Sequence, residues 1–86
     1  MRIDKYLKLA RIIKRRTVAT EICKSNRVKA NDKIVKPSYQ VMIGDILEIT
    51  LGRTVLRIQV KNVRTHVIKD ESTMLYEIIE EKRLDS

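Results

Sequence analysis

Cysteine and histidine are nearly absent from this 86-residue chain, which has one of each. A single cysteine excludes an internal disulfide, and with only one histidine the chain cannot assemble a zinc cluster. We therefore expect no metal site and no cofactor. Cys23 falls on the apolar stripe of a predicted helix, so we expect a core residue rather than a nucleophile, in a reducing compartment, the cytoplasm.

Large aromatic residues are also scarce, because Phe and Trp are missing and Tyr occurs three times. A stacking platform for single-stranded nucleic acid is therefore not expected. Tyr6 and Tyr76 fall at predicted core positions, which leaves Tyr39, in a loop, as the candidate for contact with a base. Two glycines and one proline give no flexible linker, and we expect one domain over residues 1–86.

Long hydrophobic runs are missing too. No apolar stretch approaches the roughly 18 residues needed to span a membrane, and the start of the chain lacks the apolar stretch of a signal peptide. Paired carboxylates and phosphate-binding loops, which would indicate catalysis, are not found in the sequence. We expect a protein that is not an enzyme and does not bind a membrane. A subunit whose catalytic partner is another chain is the alternative.

What the chain has in excess is positive charge at one end. Residues 1–36 hold twelve of the 19 Lys and Arg residues and only three acids, whereas residues 37–86 are close to neutral. Each Lys or Arg that meets a phosphate releases a condensed counterion, so a region this basic indicates a polyanion partner. Charge alone does not distinguish RNA from DNA.

Two helical patterns open the chain. Apolar residues at steps of three and four predict a helix over residues 3–13. A second apolar stripe, which includes Val18, predicts a helix over residues 17–25, with Thr17 as its N-cap. Asn26 is expected to end this second helix, because Asn tolerates the left-handed conformation that a helix exit often needs.

From residue 28 the apolar period changes to two, which indicates strands. Tight turns are predicted at Asn31–Asp32 and at residues 43–45, and a hairpin tip at Gly52–Arg53. We expect a loop over residues 64–73. Residues 75–79 fit a strand or a helix, and a final strand beside the hairpin is favoured. The predicted fold class is α+β, with two short N-terminal helices followed by a small, mostly antiparallel β-sheet.

The order of the motifs carries a family resemblance. From residue 2 to residue 45 the sequence contains, in order, Arg2-Ile3-Asp4, Arg16, Ala19, Val28, Ala30-Asn31-Asp32, Val35, Pro37-Ser38, Val41 and Gly44-Asp45. This order resembles the S-four RNA-binding domain, named for ribosomal small-subunit protein four. The chain departs from that pattern where Asn26 and Asp32 replace the usual glycines and where Arg15 replaces the usual Ser or Thr cap. The resemblance assigns residues 2–45 to the RNA-binding motif region and residues 46–86 to a β-hairpin and C-terminal extension.

The chain is too short for an added catalytic domain, and it is most similar to short stand-alone members of the RqcP and heat-shock ribosome-rescue family. The resemblance implies a factor of ribosome-associated quality control. Such a factor binds stalled large ribosomal subunits through 23S ribosomal RNA and peptidyl-tRNA, and it stabilises the tRNA in the P site. It supports alanine tailing of the nascent chain by an RqcH-like factor on the same subunit. A structural or assembly protein bound to ribosomal RNA is the alternative, and a monomer is expected.

A rigid basic surface suits folded RNA, which exposes its phosphates and 2′-hydroxyls across a broad minor groove. The candidate RNA-binding residues are Arg2, Asp4, Lys5, Lys8, Arg11, Lys14, Arg15 and Arg16. Asp4 is the acid among them, and it is expected either to orient Arg2 or Arg16 or to serve only as an acid favoured by the helix dipole. The acidic residues near the C-terminus, Glu77, Glu80, Glu81 and Asp85, are expected to form either a solvated tail or a surface that keeps RNA off that side or meets a basic protein.

Overall fold

The computed structural model describes residues 1–63 and 75–84. Its elements in chain order are α1 (Ile3–Leu9), α2 (Arg16–Lys24), β1 (Val28–Ala30), β2 (Lys33–Ile34), β3 (Ile46–Leu51), β4 (Thr54–Val60) and β5 (Tyr76–Arg83). The five strands form one antiparallel sheet in the order β2-β1-β3-β4-β5. The predicted α+β class is therefore confirmed. The loop predicted over residues 64–73 lies outside the described residues.

Helix α1 is shorter than predicted, because it ends at Leu9 rather than at residue 13. The chain turns back at Arg11, whose φ of +60° is left-handed. The Arg11 amide donates to the Lys8 carbonyl at 3.0 Å and the Ile12 amide donates to the Leu7 carbonyl at 3.1 Å, the paired bonds of a Schellman motif. This turn returns Ile13 to the core, where it is 6% exposed. The apolar spacing therefore continues beyond the end of the helix.

Helix α2 begins at Arg16, so the prediction of Thr17 as N-cap is wrong. The N-cap is Arg15, which has an extended backbone and makes no side-chain cap hydrogen bond. The exit is as predicted, since Asn26 has a φ of +61° and donates its amide to the Cys23 carbonyl at 3.1 Å. Val18 is 44% exposed and does not contribute to the apolar stripe as expected. The helix instead buries the side that carries the small residues Ala19 and Cys23.

The predicted turns of the sheet are confirmed. Asn31 and Asp32 have φ values of +53° and +70°, the two successive left-handed residues that a tight hairpin between β1 and β2 requires. Gly52 has a φ of +58° at the tip between β3 and β4. Because Asn and Asp tolerate this conformation better than most side chains, the sheet forms without glycine at residues 31 and 32.

Strand β5 confirms the prediction of a final strand beside the hairpin. It pairs antiparallel with β4 from Tyr76, opposite Val60, to Arg83, opposite Thr54. Three acidic residues, Glu77, Glu80 and Glu81, therefore lie on a strand rather than in a tail. The Glu77 carboxylate forms an ion pair with the Lys61 ammonium at 3.2 Å. The remaining residue of the acidic end, Asp85, lies outside the described residues.

The hydrophobic core lies between the two helices and one face of the sheet. Tyr6 is fully buried, and its hydroxyl donates to the Leu75 carbonyl at 2.6 Å. Cys23 is 1% exposed, and burial, with the nearby charge of Asp4, raises the pKa of its thiol to about 11. The expectation that Tyr6 and Cys23 are core residues is therefore confirmed. Among the described helices, neither is long and apolar enough to cross a membrane.

Candidate nucleic-acid interface

The residues before α1 are held in an extended segment beside the loop that precedes β3. Arg2 forms an antiparallel β-bridge with Gln40, and the Val41 amide donates to the Met1 carbonyl at 2.9 Å. The Ile3 amide donates to the Tyr39 carbonyl at 2.8 Å. The backbone of Arg2 is therefore fixed, and its side chain leaves the protein next to the first turn of α1.

Asp4 lies in that first turn and is 1% exposed. Its Oδ1 accepts hydrogen bonds from Arg2 Nε at 3.3 Å and from the Lys5 amide at 2.7 Å. Its Oδ2 accepts from Arg2 Nη2 at 3.1 Å. The guanidinium of Arg2 thus meets the carboxylate with two parallel bonds, the fork geometry that arginine provides and lysine cannot.

Helix α2 brings a second arginine to the same carboxylate. Arg16 Nη2 lies 3.5 Å from Asp4 Oδ1. One turn later the Thr20 hydroxyl lies 3.0 Å from Asp4 Oδ2 and 2.9 Å from the Arg16 carbonyl, and its single proton is donated to one of them at a time. Asp4 therefore joins the first turns of the two helices. Of the two alternatives for Asp4, its contacts favour the orienting role, since it pairs with both arginines in addition to accepting from an amide of its own helix.

A buried carboxylate is stable only when its charge is compensated. Burial alone would raise the pKa of Asp4. Hydrogen bonds from Thr20, Arg2 and the Lys5 amide, together with the charge of Arg16, hold this pKa below its usual value. Asp4 is therefore ionised at neutral pH and holds two cations in place.

The two guanidinium groups remain open to solvent. The side chains of Arg2 and Arg16 are 46% and 47% exposed, whereas that of Asp4 is 2% exposed. One acid between two arginines leaves a net positive charge. Each guanidinium has five N–H donors, and fewer than half of them are used by Asp4 in either case. The arrangement therefore presents two oriented donors for phosphate or for the 2′-hydroxyl of RNA.

A second group of candidate residues lies at the other end of α1. An open cleft of about 370 Å³ is lined by Lys8, Arg11, Ile13 and Lys14. The turn at Arg11 creates this cleft, because it places the Arg11 and Lys14 side chains beside the last turn of α1. The structure therefore divides the predicted cations between a pair of arginines on Asp4 and a basic cleft.

Two predicted residues fall outside both groups. Arg15 is exposed at the N-cap of α2. Lys5 is half-buried and contributes its amide to Asp4. The base contact considered for Tyr39 has less support, because its hydroxyl donates to Asp45 Oδ2 at 2.8 Å and its ring is partly buried against the core.

Thr20 is the member of the Asp4 cluster that sequence reasoning missed. It lies four residues after Arg16, on the same side of α2, and that spacing was the available signal. The partner of its hydroxyl, sixteen residues away on α1, depends on how the helices pack.

Comparison with known proteins identifies the fold. The S4 domain family model matches residues 1–47. Proteins described as RQC P-site tRNA stabilizing factor match nearly the whole chain. The one from Streptococcus pneumoniae is 41% identical over 85 residues, covering 99% of this chain and 97% of the relative. That from Bacillus subtilis is 37% identical over 84 residues, covering 98% of each. The chain belongs to the family of these S4-domain factors.

A solved structure agrees with this assignment. A trimeric structure of heat shock protein 15 from Vibrio cholerae matches with a TM-score of 0.84 at 28% identity, covering 91% of this chain and 80% of the other. The S4 domain match contains both groups of candidate cations and extends into β3. It differs by one residue at its start, and by two at its end, from the motif region predicted at 2–45. The sequence matches to the relatives from Streptococcus pneumoniae and Bacillus subtilis also cover the residues that form the β-hairpin and β5 in this chain.

Proposed function

We propose that this protein is an RNA-binding factor of ribosome-associated quality control, and that it acts in the cytoplasm without catalytic activity. The observation that carries the proposal is the buried Asp4 carboxylate between two half-exposed arginines, Arg2 and Arg16. A solvated basic face would not need a buried acid to hold its cations. Holding them in advance lowers the entropy that the side chains lose when they meet phosphates. The relatives' shared description, a factor that stabilises P-site tRNA, supports the same role.

The finer proposal names the partners. We propose that the protein binds large ribosomal subunits on which translation has stalled, with contacts to 23S ribosomal RNA and to the peptidyl-tRNA. By stabilising the tRNA in the P site, it supports alanine tailing of the nascent chain by an RqcH-like factor. The separation of the cations into two groups, the Asp4 pair and the basic cleft, supports contacts to more than one RNA segment.

The test is recovery of the RNA that the protein binds in the cell. Tagged protein is pulled down from cytosol, sedimented on a gradient, and the bound RNA is sequenced. We expect large subunits that carry peptidyl-tRNA. Arg16→Ala should weaken binding by about tenfold to a hundredfold, because one charge-assisted contact is worth about 1.5–3 kcal/mol. Recovery of unrelated small RNAs would contradict the proposal.

Asp4→Asn separates an orienting role from simple charge. The substitution removes a negative charge from a basic surface, so charge alone predicts tighter binding. If Asp4 holds Arg2 and Arg16 in place, binding weakens instead, by about three- to tenfold. Glu21→Gln, at an exposed position of α2, is the matched control that removes a negative charge without disturbing the pair. Tighter binding by Asp4→Asn would contradict the orienting role.

A structural or assembly protein bound to ribosomal RNA is the second candidate, since the same basic surface would serve it. Co-sedimentation with intact ribosomes regardless of stalling would favour this candidate. The expectation of a monomer also stays a prediction. Light scattering of the purified protein tests it, and the solved relative from Vibrio cholerae is trimeric.

A further inference from the structure

A second buried carboxylate, Asp45, is the last residue of the loop that precedes β3. Asp45 is 8% exposed. Its Oδ2 accepts hydrogen bonds from the Tyr39 hydroxyl at 2.8 Å and from the Met42 amide at 2.9 Å. Its Oδ1 accepts from Asn31 Nδ2 at 3.1 Å, and Asn31 Oδ1 accepts from the Ile46 amide at 3.0 Å. One carboxylate therefore ties the loop before β3 to the turn between β1 and β2.

The same loop completes the start of α1. A helix leaves its first amides without partners inside the helix, and α1 has no side-chain cap. The Ile3 amide donates to the Tyr39 carbonyl at 2.8 Å, and the Asp4 amide makes a longer bond to the Pro37 carbonyl at 3.5 Å. The Lys5 amide donates to the Asp4 carboxylate. The carbonyls of Tyr39 and Pro37 therefore accept from the first amides of α1 and replace a side-chain N-cap at the turn that carries Asp4.

We infer that Tyr39 and Asp45 are positioning residues of the RNA-binding surface. The Tyr39 hydroxyl fixes the loop on Asp45, the loop carbonyls fix the first turn of α1, and that turn fixes Asp4 between Arg2 and Arg16. Neither residue needs to touch RNA for this. The inference rests on the proposed function, because it concerns the same surface.

Its physical basis is the set of part-buried hydrogen bonds on Asp45, of which those from Tyr39 and the Met42 amide are the shortest, at 2.8 and 2.9 Å. Burial by itself would raise the pKa of Asp45, but bonds from the Met42 amide, Tyr39 and Asn31 hold that pKa below its usual value. The pKa of Tyr39 is raised, first by its hydrogen bond to Asp45 and then by burial. The bond therefore joins a carboxylate to a neutral phenol across the whole neutral pH range, and charge-assisted bonds of this kind are stronger than neutral ones.

The test is Tyr39→Phe, which removes one oxygen atom and no charge. Binding to purified large ribosomal subunits is measured by co-sedimentation at a series of KCl concentrations. The logarithm of affinity falls with the logarithm of salt by about 0.7–0.9 for each phosphate that the protein neutralises. We expect Tyr39→Phe to bind about three- to tenfold more weakly and to show a shallower salt dependence, because the displaced arginines no longer reach their phosphates.

Two tyrosine controls separate positioning from a general loss of stability. Tyr76→Phe removes the same atom from a tyrosine of β5 that takes no part in the Tyr39–Asp45 hydrogen bond, and it should bind as the unmodified protein does. Tyr6→Phe removes a buried hydrogen bond to Leu75, so it should lower the melting temperature without changing the salt dependence. All binding is measured at a temperature where circular dichroism shows each variant to be folded. A salt dependence lowered equally by Tyr6→Phe would overturn the inference.

Arg16→Ala, run in the same series, distinguishes failure of the inference from failure of the proposed function. If Arg16→Ala weakens binding and Tyr39→Phe retains the original affinity and salt dependence, the inference is overturned while the RNA-binding surface stands. If Arg16→Ala binds normally, the proposed surface is wrong and the inference falls with it. In an Asp4→Asn background, Tyr39→Phe should cause no further loss, since both act through the same arginines. An additive loss would contradict action through Asp4.

Discussion

Two aspartates, Asp4 and Asp45, are the acidic side chains that this small core accommodates among its described residues. Each is surrounded by donors that favour the ionised form: arginine and threonine around Asp4, tyrosine and asparagine around Asp45. Each also accepts a backbone amide. When one hydrogen-bond partner of a buried carboxylate is removed, the desolvation penalty of the charge is no longer compensated. A substitution at either aspartate or at one of its partners should therefore lower the stability of the protein strongly.

The pH dependence of stability follows from these two groups. The pKa of each carboxyl is lower in the folded protein than in the unfolded chain. Their contribution to the free energy of unfolding is therefore fully present above pH 4 and is lost as the pH falls through the folded values. We expect the melting temperature to be level near neutral pH and to drop steeply below about pH 4.

Thermal melts followed by circular dichroism check this expectation, with Asp45→Asn as the comparison. The variant should be less stable at pH 7, and its loss of stability on acidification should be smaller, because one of the two ionisations has been removed. If the melting temperatures of both Asp4→Asn and Asp45→Asn fell on acidification as steeply as that of the unmodified protein, these two carboxylates would not be the source of the pH dependence.

The site could be predicted in part from the sequence. An acid inside a strongly basic segment indicated the pairing of Asp4 with Arg2 or Arg16. The contribution of Thr20 could not be predicted, because its bond to Asp4 joins two helices whose relative placement depends on packing. The bond between Tyr39 and Asp45 could not be predicted either, because it depends on the path of an irregular loop. Short-range spacing carries no information about such partners.

At the scale of the element, the end of α1 determines the shape of the basic cleft. Arg11 holds the left-handed position of the Schellman motif, where glycine is the usual residue. A side chain in that conformation costs about 1–2 kcal/mol. The chain accepts this cost at a position where the side chain is a cation that lines the cleft.

Substitution at Arg11 tests both parts of this explanation. Arg11→Gly should raise the free energy of unfolding by about 0.5–1 kcal/mol, since relief of the left-handed strain exceeds the extra backbone entropy of glycine. Arg11→Ala removes the same charge and keeps the strain, so it should be less stable than Arg11→Gly. Urea denaturation measures the difference. RNA binding should weaken equally in both, and equal stability of the two variants would contradict the role assigned to the turn.

The same turn explains where prediction of the elements failed. Asn26, Asn31 and Asp32 are residues that tolerate positive φ, and the helix exit and the hairpin predicted from them are present. Arg11 gives no such signal, and Ile13 remains buried after the helix has ended. Apolar spacing reports which side chains face the core, and a helix followed by a Schellman motif satisfies that spacing as well as a longer helix would.

At the scale of the molecule, charge is divided between the two halves. The basic residues of α1 and α2 lie on the segment matched by the S4 domain model, while β4 and β5 pair acids with bases, as at Lys61 and Glu77. This division predicts binding to RNA that depends strongly on salt. If the protein neutralises about six phosphates, the log–log slope of affinity against salt should be about −4 to −5.

Filter binding or co-sedimentation over a range of KCl concentrations measures this slope. Glu77→Gln and Glu81→Gln, at exposed positions of β5, are controls that change net charge away from the basic surface. They should leave the slope unchanged. A complex insensitive to salt would contradict an electrostatic origin of the affinity.

The hydrogen bond from Tyr6 to Leu75 spans 69 residues and has a consequence for how the protein is made. The first helix of the chain is stabilised by a residue that is synthesised much later. During synthesis the basic N-terminal segment therefore emerges long before the strand that buries Tyr6. Contacts between distant residues form late in folding, so a nascent chain that stops before residue 75 should lack the hydrogen bond that completes the core around Tyr6. The fold should therefore become complete only after residue 75 has been synthesised and has left the ribosome, which a melt of a chain truncated before that residue would show as a loss of stability.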